Sequence, residues 1–226
     1  MRLVFLVLAV HFVHVLAIKV AIIGTFGVGK SSFLRRWVTG QPVPENLMYS
    51  TVGGSYSKIV EPIPDSAEGA KLSLEVWDTA GQERFHALLP MYTRDAQVLI
   101  MVYDVSDPGS ITGALKMYLK SLQNAKPDCI AFVVGMKKDL LDEQGVAHHM
   151  NDVSQSFNEV GYKGYFLASS RSLEGDLAFE KLKADMVRVI CQENFSTLAQ
   201  SPRTDFESFA SRREESKKAP NSSCCQ

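Results

Sequence analysis

Short apolar runs alternate along the chain with longer segments whose apolar residues recur every three or four positions. The first run, Val20 to Ile23, enters a Gly-rich loop. Beyond it Phe33, Leu34 and Trp37 share one face of a helix that Gly40 ends. Pro42 and Pro44 mark Gln41 to Ser50 as a loop. Thr51 to Val60 reads as a strand, Glu61 to Ala70 as a long turn, and Leu72 to Trp77 as the second strand of a hairpin, with Leu72, Leu74 and Val76 on one side. A polar, Gly-containing stretch, Asp78 to Phe85, precedes a short helix reaching about Arg94.

The second half repeats the alternation. QVLIMVYD, Gln97 to Asp104, is apolar enough for a central strand covered on both faces. Asp107 to Ala125 reads as a helix with Ile111, Leu115, Tyr118, Leu119 and Leu122 as its core stripe. Ile130 to Val134 is a further buried strand. Asn151 to Val160 is a helix with Val153, Phe157 and Val160 inward, stopped by Gly161. Tyr165 to Ala168 is the last strand, and a helix from Asp176 carries Leu182, Met186, Val189 and Ile190. Buried strands alternating with helices imply a mainly parallel sheet with right-handed crossovers. A ligand site is then expected at the carboxyl ends of the strands. From about residue 194 Ser, Pro, Arg, Glu and Lys dominate, and residues 194–226 read as a flexible tail.

Composition narrows the class. The 226 residues are 46% hydrophobic, which suits one domain with extensions. Twenty-four basic residues against 25 acidic leave a net charge of −1, which gives no electrostatic basis for a nucleic-acid partner. Cys129, Cys191, Cys224 and Cys225 form no disulfide pattern, and a reducing compartment is the simpler reading. Residues 1–17 pull the other way. Met1 and Arg2 precede an apolar run, Leu3 to Ala17, with Val15-x-Ala17 as a passable cleavage site. The run falls short of the roughly 20 residues a spanning helix needs. Three readings stand: a wrongly joined upstream exon, a hydrophobic anchor, or a signal peptide. A different start codon in frame does not account for it, because the next methionine is Met48.

Chemistry concentrates in IKVAIIGTFGVGKSS, Ile18 to Ser32. Gly24, Gly29, Lys30 and Ser31 complete the G-x-x-x-x-G-K-[ST] pattern between a strand and a helix. Glycines at 24, 27 and 29 let the backbone N–H groups of Phe26, Gly27, Val28, Gly29 and the helix start, through Ser32, approach an oligophosphate. Lys30 would neutralise phosphate charge and the Ser31 hydroxyl would hold Mg²⁺. After the hairpin comes WDTAGQERF, Trp77 to Phe85. Asp78 can bind the Mg²⁺ shell opposite Ser31, the Gly81 N–H can approach a γ-phosphate, and Gln82 can orient an attacking water.

With these motifs the sequence resembles the Ras-like small GTPases, a family whose chemistry typifies phosphoryl transfer. The resemblance runs from about Ile18 to Cys191. It implies an α/β, three-layer P-loop fold with a mostly parallel six-stranded sheet and about five helices, the domain occupying residues 18–193. Thr51 matches the effector-loop threonine that closes over Mg²⁺ and the γ-phosphate. Lys137, Asp139 and Leu140 match the guanine-recognition segment, in which Asp139 would accept from the guanine N1-H and 2-amino group. Ser169, Ser170 and Arg171 match the segment that supports the base at O6. Catalytic roles fall to Gln82 and Lys30, and metal ligation to Ser31, Thr51 and Asp78.

Trp77 before DTAG, the VYD of Val102 to Asp104 and the terminal Cys224-Cys225-Gln226 are similar to the Rab branch. Tyr56, Trp77 and Tyr92 match the aromatic triad that Rab effectors read. Geranylgeranyl groups on Cys224 and Cys225 would supply the two signals that stable yet extractable membrane attachment needs. The resemblance implies GTP and GDP as ligands with Mg²⁺ as cofactor, and a monomer served by an exchange factor, a GTPase-activating protein, escort and dissociation-inhibitor chaperones, and effectors. It implies residence on the cytoplasmic face of endomembranes, cycling with the cytosol, which the N-terminal run contradicts.

Three positions depart from the family pattern. Phe26 stands where a small residue is usual and would crowd the water, Gln82 and an incoming arginine finger. Met136 replaces the asparagine of Asn-Lys-x-Asp and cannot make its hydrogen bonds. Gln41 to Pro44 offers no aromatic to cover the base. The expected function is a Rab-like switch with slow GTP hydrolysis in vesicle trafficking. The alternative is a nucleotide-binding pseudo-GTPase acting as a membrane interaction module.

Overall fold

The computed structural model describes residues 17–47, 50–65, 70–142, 144–146, 149, 153, 156–157, 160–171 and 176–200. Six strands form one sheet: β1 (Ala17–Ile23), β2 (Gly54–Pro62), β3 (Lys71–Thr79), β4 (Val98–Asp104), β5 (Ile130–Met136) and β6 (Gly164–Leu167), in the order β2-β3-β1-β4-β5-β6. All neighbours are parallel except β2 and β3, which pair as an antiparallel hairpin. Among the described residues four helices are bounded: α1 (Lys30–Thr39), α2 (Leu89–Thr93), α3 (Pro108–Leu122) and α4 (Asp176–Gln200). The expected mostly parallel, doubly covered sheet is therefore what the chain builds.

Strand alternation sends side chains to two cores. Ile18, Val20 and Ile22 face Phe33, Leu34 and Trp37 of α1 and Phe179, Leu182, Met186 and Ile190 of α4. Ala21 and Ile23 face the other way, toward Ile111, Ala114, Met117 and Tyr118 of α3 and toward Val153 and Phe157. Each fully buried large side chain, such as Phe33 or Phe132, stabilises this packing by roughly 2 kcal/mol.

Helix ends follow local chemistry. Gly40, at φ 65°, ends α1 and donates to the Arg36 carbonyl at 2.9 Å. Asp107 caps α3 by accepting from the Gly109 N–H at 2.9 Å, with Pro108 as the first helical residue. No side chain caps α1 and no acidic residue sits in its first turn. Its N-terminal donors are thus left facing the Gly-rich loop.

Several expectations need adjusting. The hairpin starts at Gly54 rather than Thr51, and the loop after α1 contains a 3-10 turn, Glu45–Leu47. The α3 stripe is turned. Ser110, Ile111, Ala114, Met117, Tyr118 and Ser121 are buried, whereas Leu119 and Leu122 are exposed. Small residues at 110, 114 and 121 let this helix sit close to the sheet, so the face they occupy wins over the face with more leucines. The helix expected over Asn151 to Val160 lies mostly outside the described residues, although residues 153, 156 and 157 are helical.

Met1–Cys191 forms one compact unit and Gln192–Gln226 a second. Of the second, the structure describes helical backbone to Gln200, past the residue 194 boundary read from composition. Residues 1–16, Cys224 and Cys225 lie outside the described residues. Among the described residues no helix is long and apolar enough to cross a membrane.

Candidate functional site

The carboxyl ends of β1, β3 and β5 open onto a cleft of about 500 Å³, within the size range of small-molecule sites. At one end it is lined by Phe26, Gly27, Gly29, Lys30, Ser31 and Ser32, and at the other by Met136, Lys137, Asp139, Leu140, Ser170 and Arg171. Thr51 and Gly81 close it from the side. Residues more than a hundred positions apart in the chain meet here because β1 and β5 flank β4 in one parallel sheet.

The loop after β1 takes its shape from glycines. A Cβ on Gly24 would stand 2.1 Å from the Val102 carbonyl oxygen, and Gly29 has φ 102°. Val28 is buried and pins the loop, while Lys30 turns back to donate to the carbonyls of Gly24 at 2.9 Å and Thr25 at 2.8 Å. Burial lowers the Lys30 ammonium to about 8, with nearby Asp78 pulling the other way. It is a buried cation held by backbone carbonyls, with the Asp78 carboxylate nearby.

Ser31, Thr51 and Asp78 converge. The Ser31 hydroxyl donates to Asp78 Oδ2 at 2.5 Å and lies 2.5 Å from the Thr51 hydroxyl, which is itself 3.5 Å from the same carboxylate oxygen. Asp78 is raised from its ordinary value by burial, against the opposing pull of Ser31, Lys30 and Thr51. Its second oxygen, Oδ1, is buried without a hydrogen-bond partner among the described residues. A buried, acceptor-only oxygen beside two hydroxyls fits a hard divalent cation or its water shell. A neighbouring groove of about 420 Å³ between α1 and β2 shares Ser31, Ser32, Ser50 and Thr51 with the cleft, is lined also by Asp78, and reaches none of the residues from Met136 to Leu140.

Gly81 lies against the Gly-rich loop after β1 so closely that a Cβ would meet Lys30 Nζ and the Thr25 carbonyl oxygen, both at 2.4 Å. Gln82 lines a second opening with Thr25, Glu83, Arg84, His86 and the start of α3. Phe26, 58% exposed, borders both this opening and the main cleft.

On the base side, Lys137 adopts the left-handed conformation at φ 65° and its ammonium pairs with Asp104 Oδ2 at 2.5 Å. Asp139 Oδ1 accepts from the Ser169 hydroxyl at 2.5 Å, and that hydroxyl accepts from the Arg171 N–H at 3.1 Å. Arg171 also pairs with Glu45, and the Val43 N–H donates to the Ser170 carbonyl at 2.7 Å, tying the loop after α1 to this segment. Met136 is buried, its side chain against Gly29. The aromatics also meet. Trp77 lies 5.2 Å from Tyr56 and 5.8 Å from Tyr92 between ring centroids. Tyr56 is exposed, whereas Tyr92 is buried, its ring beneath Gly54.

The Ras family model matches residues 19–191, most of the chain. The chain belongs to the Ras family. RABF2a of Arabidopsis thaliana, 36% identical and covered over 68% of its length, makes it a Rab-type member. Ras-related protein Rab5 of Nicotiana tabacum is 36% identical over 128 residues, 57% of this chain and 61% of that protein. RABF2a of Arabidopsis thaliana is 36% identical over 142 residues, 63% and 68% respectively. Rab-26 of Bos taurus is 28% identical over 211 residues, 93% and 75%. The chain thus spans about three-fifths of the tobacco relative's length.

Of the residues the motifs named, the cleft is lined by those of the loop from Phe26 to Ser32 except Val28, by Thr51 and Gly81, and by Lys137, Asp139, Leu140, Ser170 and Arg171, whereas Asp78 and Gln82 line neighbouring openings. Gly24 and Val28 support it from beneath, and Ser169 acts through Asp139. Sequence reasoning did not find Asp104, nor the ties from Val43 and Glu45. VYD supplied the Asp104 signal only as a family marker, since nothing local says that its carboxylate reaches Lys137 across two strands.

Proposed function

We propose that the cleft binds GTP and GDP with Mg²⁺ and that the protein is a Rab-like switch with slow GTP hydrolysis in membrane trafficking. What supports the reading is that one cleft is lined both by the Gly-rich loop with Lys30 and Ser31 and by the Asp139 carboxylate. Phosphates would lie along the N–H groups of residues 26–32 with Lys30 as counter-charge, and Asp139 would take the guanine N1-H and 2-amino group. Adenine offers an acceptor and no 2-amino donor at those positions, so Asp139 disfavours it.

Ser31, Thr51 and Asp78 would hold Mg²⁺, which neutralises phosphate charge when bound. Gln82 would orient water, and the Gly81 N–H would donate to the terminal phosphate. Thr51 and Gly81 would transmit the presence of that phosphate to the loops on either side of β2 and β3, whose aromatics, led by exposed Tyr56, would face effectors. Phe26 would hinder both the water and any arginine supplied in trans, a contact worth about 10³ to 10⁵ in rate. Geranylgeranyl groups on Cys224 and Cys225, the regulators of exchange, hydrolysis and extraction, and a cytosolic membrane face complete the proposal by family likeness.

The test is single-turnover hydrolysis by protein preloaded with GTP, compared with Phe26→Ser. Slow conversion that the substitution accelerates supports the reading. No conversion by either protein would make the chain a nucleotide-binding module without activity.

A further inference from the structure

The base-side segment is held in an unusual way. Lys137 is one of three non-glycine residues with positive φ among the described residues, a conformation that L side chains rarely adopt. Such a turn needs an external tie. The side chain of the residue before it, Met136, offers carbons where a Cβ on Gly29 would stand, and a thioether there supplies no hydrogen-bond donor to the loop. The turn is tied by the Lys138 N–H to the Ala168 carbonyl at 3.1 Å and by Ser169 to Asp139, and Lys137 itself is tied by Asp104 at the end of β4, whose Oδ2 accepts from its ammonium at 2.5 Å.

Asp104 is itself fixed on every side. Its Oδ1 accepts from the Ser106 N–H at 2.9 Å and the Ser106 hydroxyl at 2.7 Å, and its own N–H donates to the Ser110 hydroxyl at 3.0 Å. The Val105 N–H donates to the Met136 carbonyl at 3.1 Å, which brings the strand ends together. Burial would raise this carboxyl, yet Lys137 and Ser106 together hold it below its ordinary value, so it is an anion at neutral pH. The Asp104 side chain is 10% exposed and that of Lys137 41%. A rigid anchor thus holds a side chain that lines the cleft.

We propose that Asp104 is a positioning residue for nucleotide retention: acting through Lys137, it holds the Lys137–Leu140 turn at the height the base requires, in place of a tie that Met136 cannot make. This rests on the reading of the cleft as a guanine-nucleotide site. Asp104 does not line the cleft, so its influence must pass through Lys137.

The experiment uses the full chain loaded with a fluorescent GDP analogue and chased with excess GDP, in a cycle of Asp104→Asn, Lys137→Met and the double variant. Asp104→Asn keeps the acceptor for Ser106 and is expected to release nucleotide about tenfold faster, as for loss of one half-exposed charge-assisted bond. The double variant should release no faster than Lys137→Met alone. A purely structural Asp104 would instead accelerate release equally with or without Lys137, and that additive result would overturn the proposal. Asp104→Glu is the second variant: it keeps the carboxylate and should retain more of the slow release than Asn, whereas equal loss counts against the pair. If the unsubstituted protein fails to retain GDP, the functional reading falls and this inference with it. Retention with additive effects removes this inference alone.

Discussion

Lys30 gives the site a pH dependence that can be worked out from its surroundings. In the folded protein its ammonium is buried and sits at about 8 instead of 10.5. Phosphate binding needs the charged form. With a value of 8, about nine-tenths of Lys30 is charged at pH 7 and about one-tenth at pH 9. Apparent affinity for GDP should therefore fall roughly tenfold, or about 1.4 kcal/mol, across that range. The sign for stability is opposite. Between pH 8 and 10.5 the unfolded chain binds more protons than the folded one, so the folded protein gains stability as pH rises through that window. Equilibrium titration of a fluorescent GDP analogue from pH 6.5 to 9 reads the first effect, and Lys30→Met should bind weakly with no such slope. An affinity that changes less than twofold between pH 7 and 9, or an equal slope in the variant, would refute the assignment of Lys30 as the phosphate counter-charge.

Three further outcomes follow from contacts in the structure. Phe26→Ser, by clearing the boundary between the cleft and the Gln82 opening, should speed single-turnover hydrolysis by at least about tenfold, and an unchanged rate would show that the ring does not obstruct the water. Gly81→Ala places a Cβ 2.4 Å from the Thr25 carbonyl oxygen and Lys30 Nζ, so hydrolysis should drop by about a hundredfold while GDP affinity changes far less; parallel rate and binding assays separate the two. A chain cut to begin at Ile18 loses the Ala17 to Ser73 pairing and puts a new ammonium on a fully buried residue. Its melting temperature should fall by about 5 °C or more, for a loss near 2 kcal/mol, and an unchanged value in a calorimeter would leave cleavage after Ala17 structurally harmless.

Much of the site was legible because its motifs are local. G-x-x-x-x-G-K-S and DTAGQ each specify a backbone path as well as side chains, and each follows a strand whose period is clear. The core of α1 was legible for the same reason, with Phe33, Leu34 and Trp37 buried as their spacing predicts. On α3 the same reasoning chose Leu119 and Leu122, both exposed. Hydrophobicity alone cannot weigh a leucine face against a face of small residues that permits closer approach to the sheet. Tyr92 illustrates a second limit. Its partner surface is the glycine pair at 53 and 54, where the absence of side chains is what makes room, and an absence leaves no periodic signal. The Asp104 to Lys137 bond is a third case. It joins the ends of adjacent parallel strands 33 positions apart, and only the register of β4 on β5 brings them together.

The central claim, that one cleft reads both phosphate and guanine, is tested most directly by competition. Protein carrying a fluorescent GDP analogue in the presence of Mg²⁺ is challenged with increasing GDP or ADP. GDP should displace the probe at concentrations at least about a hundredfold below those of ADP, as expected when a buried polar match is lost. Displacement by GDP and ADP at equal concentrations would contradict base recognition by Asp139 and reduce the site to a phosphate loop alone.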